Sequence, residues 1–139
     1  HQGARLLNDA YNASPTSMHA ILTTLSNIEL EGVDRKIAVL GDIRELGADS
    51  ERFHRELSRS VNPSVIDKVY LFGPQMAYLY EELQVKFAPE QLVYIENNHE
   101  NLIAALNADV QPSDVLLVKS SFGVDLLKVV TALTGQVTK

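Results

Sequence analysis

The sequence predicts an α/β fold with three layers, helices covering both faces of a mainly parallel sheet of five or six strands. Three observations predict it. Short apolar runs recur along the chain, and each is stopped by Gly, Asp, Glu, Asn or Ser. Segments with helical apolar spacing lie between the runs. The runs are apolar throughout rather than alternating, as expected for strands covered on both sides.

The first strand is read from Leu6-Leu7, leading into Asn8-Asp9. Ser14 is a good N-cap, and Pro15 suits the first helical position, where its missing N–H costs nothing. Met18, Ile21, Leu22, Leu25 and Ile28 then mark one face of a helix. The second run, Lys36-Ile37-Ala38-Val39-Leu40, stops at Gly41-Asp42. Asp49 or Ser50 is placed to cap the helix marked by Phe53, Leu57 and Val61. The third run, Lys68-Val69-Tyr70-Leu71-Phe72, stops at Gly73-Pro74 and precedes a helix marked by Met76, Leu79, Tyr80 and Leu83. Leu92-Val93-Tyr94-Ile95 stops at Glu96-Asn97-Asn98, before a helix marked by Leu102, Ile103 and Leu106. The last run, Asp114-Val115-Leu116-Leu117-Val118, stops at Lys119-Ser120-Ser121 and leads to Leu126, Leu127, Val130 and Leu133. Strands alternating with helices give βαβ units with right-handed connections, a Rossmann-like arrangement.

A chain of 139 residues is one domain, 1–139, and long enough to bury a core. It begins almost inside its first strand, which suggests a piece excised from something larger. The net charge is −6 and Lys and Arg do not cluster, which argues against nucleic acid or an anionic membrane as partner. No apolar stretch is long enough to span a bilayer and no signal-peptide pattern opens the chain. With no cysteine, disulfides and thiolate metal sites are ruled out, which is compatible with a reducing cytoplasm.

Three clusters at predicted strand ends carry chemistry-bearing groups, on the rim where parallel α/β folds bind ligands. Asp9 and Asn12 follow the first strand. A strand-end Asp can accept from a ribose hydroxyl or help hold a metal. Both residues could equally satisfy loop backbone groups. Gly41-Asp42-Ile43-Arg44-Glu45-Leu46-Gly47 follows the second strand and puts more charge on a short loop than a turn requires. The alternative is a solvated loop. Lys119-Ser120-Ser121 follows the last strand. There a lysine can neutralise phosphate or carboxylate, and serine hydroxyls and N–H groups can donate to anionic oxygens. A Ser cap with a solvated Lys is the other reading. His54 lies in the following helix and reads as a packing or surface residue. His1, His19 and His99 show no metal spacing. There is no G-x-x-x-x-G-K-[ST] loop, G-x-G-x-x-G fingerprint or G-x-S-x-G elbow, so phosphate activation must lie elsewhere if nucleotide chemistry is involved.

Three stretches together resemble the C-terminal domain of the Mur ligases, most nearly the MurF type. They are Leu7-Asn8-Asp9-Ala10-Tyr11-Asn12-Ala13-Ser14-Pro15-Thr16-Ser17-Met18, Leu40-Gly41-Asp42-Ile43-Arg44-Glu45-Leu46-Gly47 and Val118-Lys119-Ser120-Ser121. The resemblance implies a three-domain cytoplasmic enzyme of peptidoglycan synthesis, ATP-dependent, whose central domain carries the phosphate loop and holds Mg²⁺. ATP would phosphorylate the terminal carboxylate of UDP-N-acetylmuramoyl-tripeptide, and the amine of D-alanyl-D-alanine would attack the acyl phosphate. This domain would bring in the amino substrate and close over the nucleotide, working with the enzyme's own N-terminal and central domains. By resemblance Asp9 contacts the ATP ribose with Asn12 beside it. Asp42, Arg44, Glu45, Lys119, Ser120 and Ser121 fall on the incoming-substrate side. The resemblance gives the domain no catalytic residue and no metal ligand of its own, and implies that it is inactive alone. It also implies that the last strand lies between the first and second. Many relatives read Lys-Gly-Ser-Arg where this chain has Lys119-Ser120-Ser121-Phe122. Two other readings are a receiver-like regulatory phosphoacceptor domain and the C-terminal domain of a folylpolyglutamate synthetase-like ligase. A receiver usually pairs acids after its first strand, whereas Asp9 stands alone.

Overall fold

The computed structural model describes residues 5–9, 15–27, 35–43, 46–110 and 114–119. Its strands are β1 (Arg5–Asp9), β2 (Arg35–Gly41), β3 (Lys68–Phe72), β4 (Leu92–Ile95) and β5 (Asp114–Lys119). Its helices are α1 (Pro15–Asn27), α2 (Ser50–Glu56), α3 (Met76–Leu83) and α4 (His99–Asp109). The strands form one sheet in the order β1-β5-β2-β3-β4, and every pairing is parallel. β5 therefore inserts between β1 and β2, the order that the family resemblance implies.

Alternation along β2, β3, β4 and β5 sends side chains to two separate cores. Ala38 and Leu40 of β2 and Val115 and Leu117 of β5 face one core, with Met18, Leu22 and Leu25 of α1 and Met76, Leu79 and Leu83 of α3. Ile37 and Val39, with Leu116 and Val118, face the other, against Leu102 and Leu106 of α4. All these side chains are buried. Each of the Val, Leu, Ile and Met side chains contributes roughly 1.5–3 kcal/mol, so two-sided coverage is what makes fully apolar strands stable here. The helical spacings read in α1, α3 and α4 correspond to these buried residues.

The amino ends of the strands are tied by charge. Arg35 and Asp114 are register partners across β2 and β5. The guanidinium meets the Asp114 carboxylate twice, Nε to Oδ1 at 2.9 Å and Nη2 to Oδ2 at 2.7 Å, and also donates to the Asp109 carbonyl at 2.9 Å. Tyr70 donates to Asp109 at 2.6 Å, and Lys68 pairs with the same carboxylate at 3.1 Å. Burial first, then this hydrogen bond, pushes the Tyr70 phenol well above its usual range. α4 is thereby fastened through Asp109 to β2 and β3, and Arg35 carries the link on to β5.

The helix after β2 departs from expectation. Asp49 stands at the N-cap of α2, but its side chain makes no capping bond. A 3₁₀ turn over Gly47–Asp49 already curls the chain into the helix, and the Asp49 N–H donates to the Leu46 carbonyl at 3.2 Å. Its carboxylate pairs instead with Arg52 at 3.2 Å. α2 ends at Glu56 and tightens into a second 3₁₀ turn, Leu57–Ser60. Phe53 is only partly buried, with Arg52 stacked 4.4 Å from its ring centroid. The inward position belongs to His54, which is fully buried. The Ser14 cap, Ile28 and the last helix read around Leu126, Leu127, Val130 and Leu133 lie outside the described residues.

Candidate functional site

The carboxyl ends of the strands bring the charged residues together. Asp9 ends β1 and is the register partner of Lys119, which ends β5. Lys119 is also the partner of Leu40, two residues before Asp42. Asp9, Lys119 and Asp42 thus stand at three neighbouring strand ends, with the lysine in the middle. Lys119 is buried, an uncommon place for an ammonium, on the sheet face of Val115 and Leu117. Asn12, Arg44, Glu45, Ser120 and Ser121 lie outside the described residues.

Asp42 has a defined structural task. Its Oδ1 accepts from the Met76 N–H at 2.8 Å and its Oδ2 from the Gln75 N–H at 3.1 Å. The carboxylate therefore caps α3, a helix on the next strand's connection, and meets its positive end. Gln75, the residue at the N-cap position, makes no side-chain cap itself. Close approach is possible because residue 73 is glycine. Its φ is +115°, and a Cβ there would lie 2.4 Å from Asp42 Cγ.

A closed ring of hydrogen bonds continues from this cap. The Ile43 N–H donates to His54 Nε2 at 3.1 Å. His54 Nδ1–H donates to the Ser50 carbonyl at 2.7 Å, which fixes the tautomer. Ser50 Oγ donates to Gln75 Oε1 at 2.6 Å, and the Gln75 backbone returns to Asp42. Desolvation, partly opposed by the Ser50 carbonyl and by Asp42, lowers the His54 pKa below 6.5. The ring itself calls for the neutral imidazole, since Nε2 must accept from Ile43 while Nδ1–H donates to Ser50.

Beside the ring a cavity of about 550 Å³ opens over the ends of β2, β3 and β4. Its polar lining includes Asp42, Ser50, Gln75, Glu96, Asn97 and His99, above the Phe72 ring. His99 packs on Phe72, with ring centroids 4.6 Å apart. Among the described residues its lining has two carboxylates and neither Lys nor Arg. The described part of the lining is therefore polar and acidic. Among the described residues no cluster of His, Asp or Glu could hold a metal ion. Sequence reasoning missed the role of His54, Gly73 and Gln75. One signal was present, since His54, Leu57 and Val61 stand at i, i+3 and i+7 and so share a helix face.

The model of the family described as Mur ligase, glutamate ligase domain matches residues 1–122. The chain belongs to the Mur ligase family. It is 35% identical over 131 residues to the UDP-N-acetylmuramoyl-tripeptide–D-alanyl-D-alanine ligase of Bacillus subtilis, covering 94% of this chain and 28% of that protein. The enzyme of the same name from Rickettsia prowazekii is 36% identical, with coverage of 93% and 27%. The chain thus spans little more than a quarter of the length of these Mur ligase relatives. Among solved structures, MurF ligase from Thermotoga maritima in complex with ADP superimposes with a TM-score of 0.76 at 26% identity. That match covers 97% of this chain and 29% of the other. MurF from Acinetobacter baumannii gives 0.75 at 26%, covering 98% and 30%.

Two outcomes test the geometry. Gly73→Ala should destabilise the chain by about 2–4 kcal/mol, combining backbone strain with a displaced cap. Gly47→Ala, whose φ is +58° with open space around it, should lose only about 1–2 kcal/mol. Urea unfolding of both variants checks the contrast. For His54 the folded pKa lies below the unfolded value. The unfolded chain therefore binds more protons between the two, and stability rises with pH in that window. The contribution should be complete above about pH 6.5 and fade as pH falls toward the folded value. Subtracting the unfolding curves of His54→Gln from wild type across pH 4–8 should show this slope, and a flat difference would refute it.

Proposed function

We propose that this chain is the C-terminal domain of an ATP-dependent ligase that joins D-alanyl-D-alanine to UDP-N-acetylmuramoyl-tripeptide in cell-wall synthesis. The observation that carries the reading is the meeting of Asp9, Lys119 and Asp42 at neighbouring strand ends in a Mur ligase family chain. The names of the relatives support the reaction, and ADP in the Thermotoga structure supports the nucleotide.

In this reading Asp9, with Asn12 beside it, accepts from the ATP ribose. An acid at the carboxyl end of a parallel strand, ahead of the helix beginning at Pro15, has the chemistry for that contact. Asp42, Arg44, Glu45, Lys119, Ser120 and Ser121 form the incoming-substrate side. Lys119 supplies positive charge beside Asp9, while Asp42 holds the 42–47 loop at its root. The described residues offer no donor set for Mg²⁺, which is assigned to the central domain of the whole enzyme. The partners are the two substrates and the enzyme's own N-terminal and central domains, in the cytoplasm, without nucleic acid. Among the described residues no helix is long and apolar enough to cross a membrane.

A receiver-like role is disfavoured by Asp42 itself. Both of its oxygens accept main-chain N–H groups, so neither is presented for phosphorylation. With no phosphate loop in the sequence, the chain alone should show no turnover with ATP, Mg²⁺ and both substrates. A product peak at the rate of a whole ligase would refute this.

In the whole enzyme, Asp9→Ala removes a charge-assisted hydrogen bond of about 1.5–3 kcal/mol, so kcat/KM for ATP should fall roughly 10- to 150-fold. Melting of the 139-residue chain carrying the same change should hardly move. Normal kinetics with a large loss of melting temperature would make Asp9 a structural residue and refute the ribose assignment.

A further inference from the structure

Arg44 and Glu45 lie in sequence between two anchored residues. Ile43 is buried and held through its N–H by His54, while Leu46 packs against the core. His54 is absent from the lining of the cavity, yet it is fully buried, the one buried side chain of α2. A leucine there would fill similar space without desolvating an imidazole. Buried polar groups in a closed network fix one geometry against alternatives. The ring Asp42–Ile43–His54–Ser50–Gln75 ties the start of the loop, the start of α2 and the start of α3 into one unit. Four of its members, Asp42, Ile43, Ser50 and Gln75, also line the cavity.

We propose that His54 is a positioning residue for the amine-bearing substrate, acting through Ile43 on the cavity wall, with Ser50 and Gln75 completing the device. This rests on the ligase reading above. His54 does not touch the reacting atoms. It sets where Ile43 stands, and so the geometry with which the cavity wall meets the incoming amine. The ring requires a neutral imidazole, because a protonated Nε2 cannot accept from Ile43. Asp42 is the acid that acts on His54 from the loop. On α2 and α3, Glu51, Glu81 and Glu82 are engaged by Arg55.

The test uses the whole enzyme with separate titrations of D-alanyl-D-alanine, the UDP-tripeptide and ATP. His54→Leu should raise KM for the dipeptide about tenfold, the effect of one lost buried hydrogen bond, and leave KM for ATP within about twofold. His54→Gln, whose amide oxygen can accept from Ile43, should recover much of that loss. The acid limb of kcat/KM for the dipeptide should weaken in His54→Gln, which does not titrate. Ser50→Ala breaks the ring without emptying the core and should shift the same KM in the same direction, so the idea stays testable if His54→Leu folds poorly. Equal effects on all three substrates, or a fall in melting temperature with unchanged KM values, would make the ring purely structural and overturn the proposal. Failure of the wild-type enzyme to use D-alanyl-D-alanine would instead overturn the ligase reading, and this inference with it.

Discussion

The Asp42 carboxylate gives both oxygens to the start of α3, and the organisation of the carboxyl rim follows from that choice. Buried carboxylates are costly unless every oxygen finds a donor. Here the donors are the N–H groups that a helix start leaves without intrahelical partners, so two deficits cancel. The arrangement demands a residue without Cβ at position 73, because the carboxylate occupies that space. It also fixes Ile43, the next residue, within reach of His54. One cap thereby determines a glycine, a histidine tautomer and the root of the loop.

The two ends of the sheet solve charge burial differently. At the amino ends, Arg35 and Lys68 neutralise Asp114 and Asp109 in direct ion pairs. At the carboxyl ends, Asp42 is met by backbone dipoles. Ion pairs bind one strand to its neighbour and leave little room for anything else. Dipoles satisfy a carboxylate while the side walls remain open, and the cavity over β2, β3 and β4 is found at that end.

Most of the fold was legible because burial on both faces leaves a simple trace, an unbroken run such as Lys36-Ile37-Ala38-Val39-Leu40. Helix faces such as Met76, Leu79 and Leu83 were equally plain. The strand order was not readable from periodicity and came from family resemblance, since pairing between distant segments leaves no local mark. The ring was illegible for the same reason. Its bonds join residues 42, 43, 50, 54 and 75, and their partners depend on crossovers. Asp49 shows the opposite error. A good cap residue at a good place was bypassed because a 3₁₀ turn had already satisfied the first N–H groups.

The position of β5 has a consequence for how the chain folds. β1 and β2 never pair with each other, and the strand that joins them is the last of the described strands in sequence. The contact of Arg5 with Val115 spans nearly the whole described chain. Loop-closure entropy makes such pairings slow. Until β5 arrives, β1 and β2 present open edges whose backbone groups can pair with another molecule. During folding the chain must therefore hold these edges unpaired until β5 docks. The hazard of aggregation is greatest in that interval, because among the described strands of the finished sheet only β1 and β4 stand at an edge.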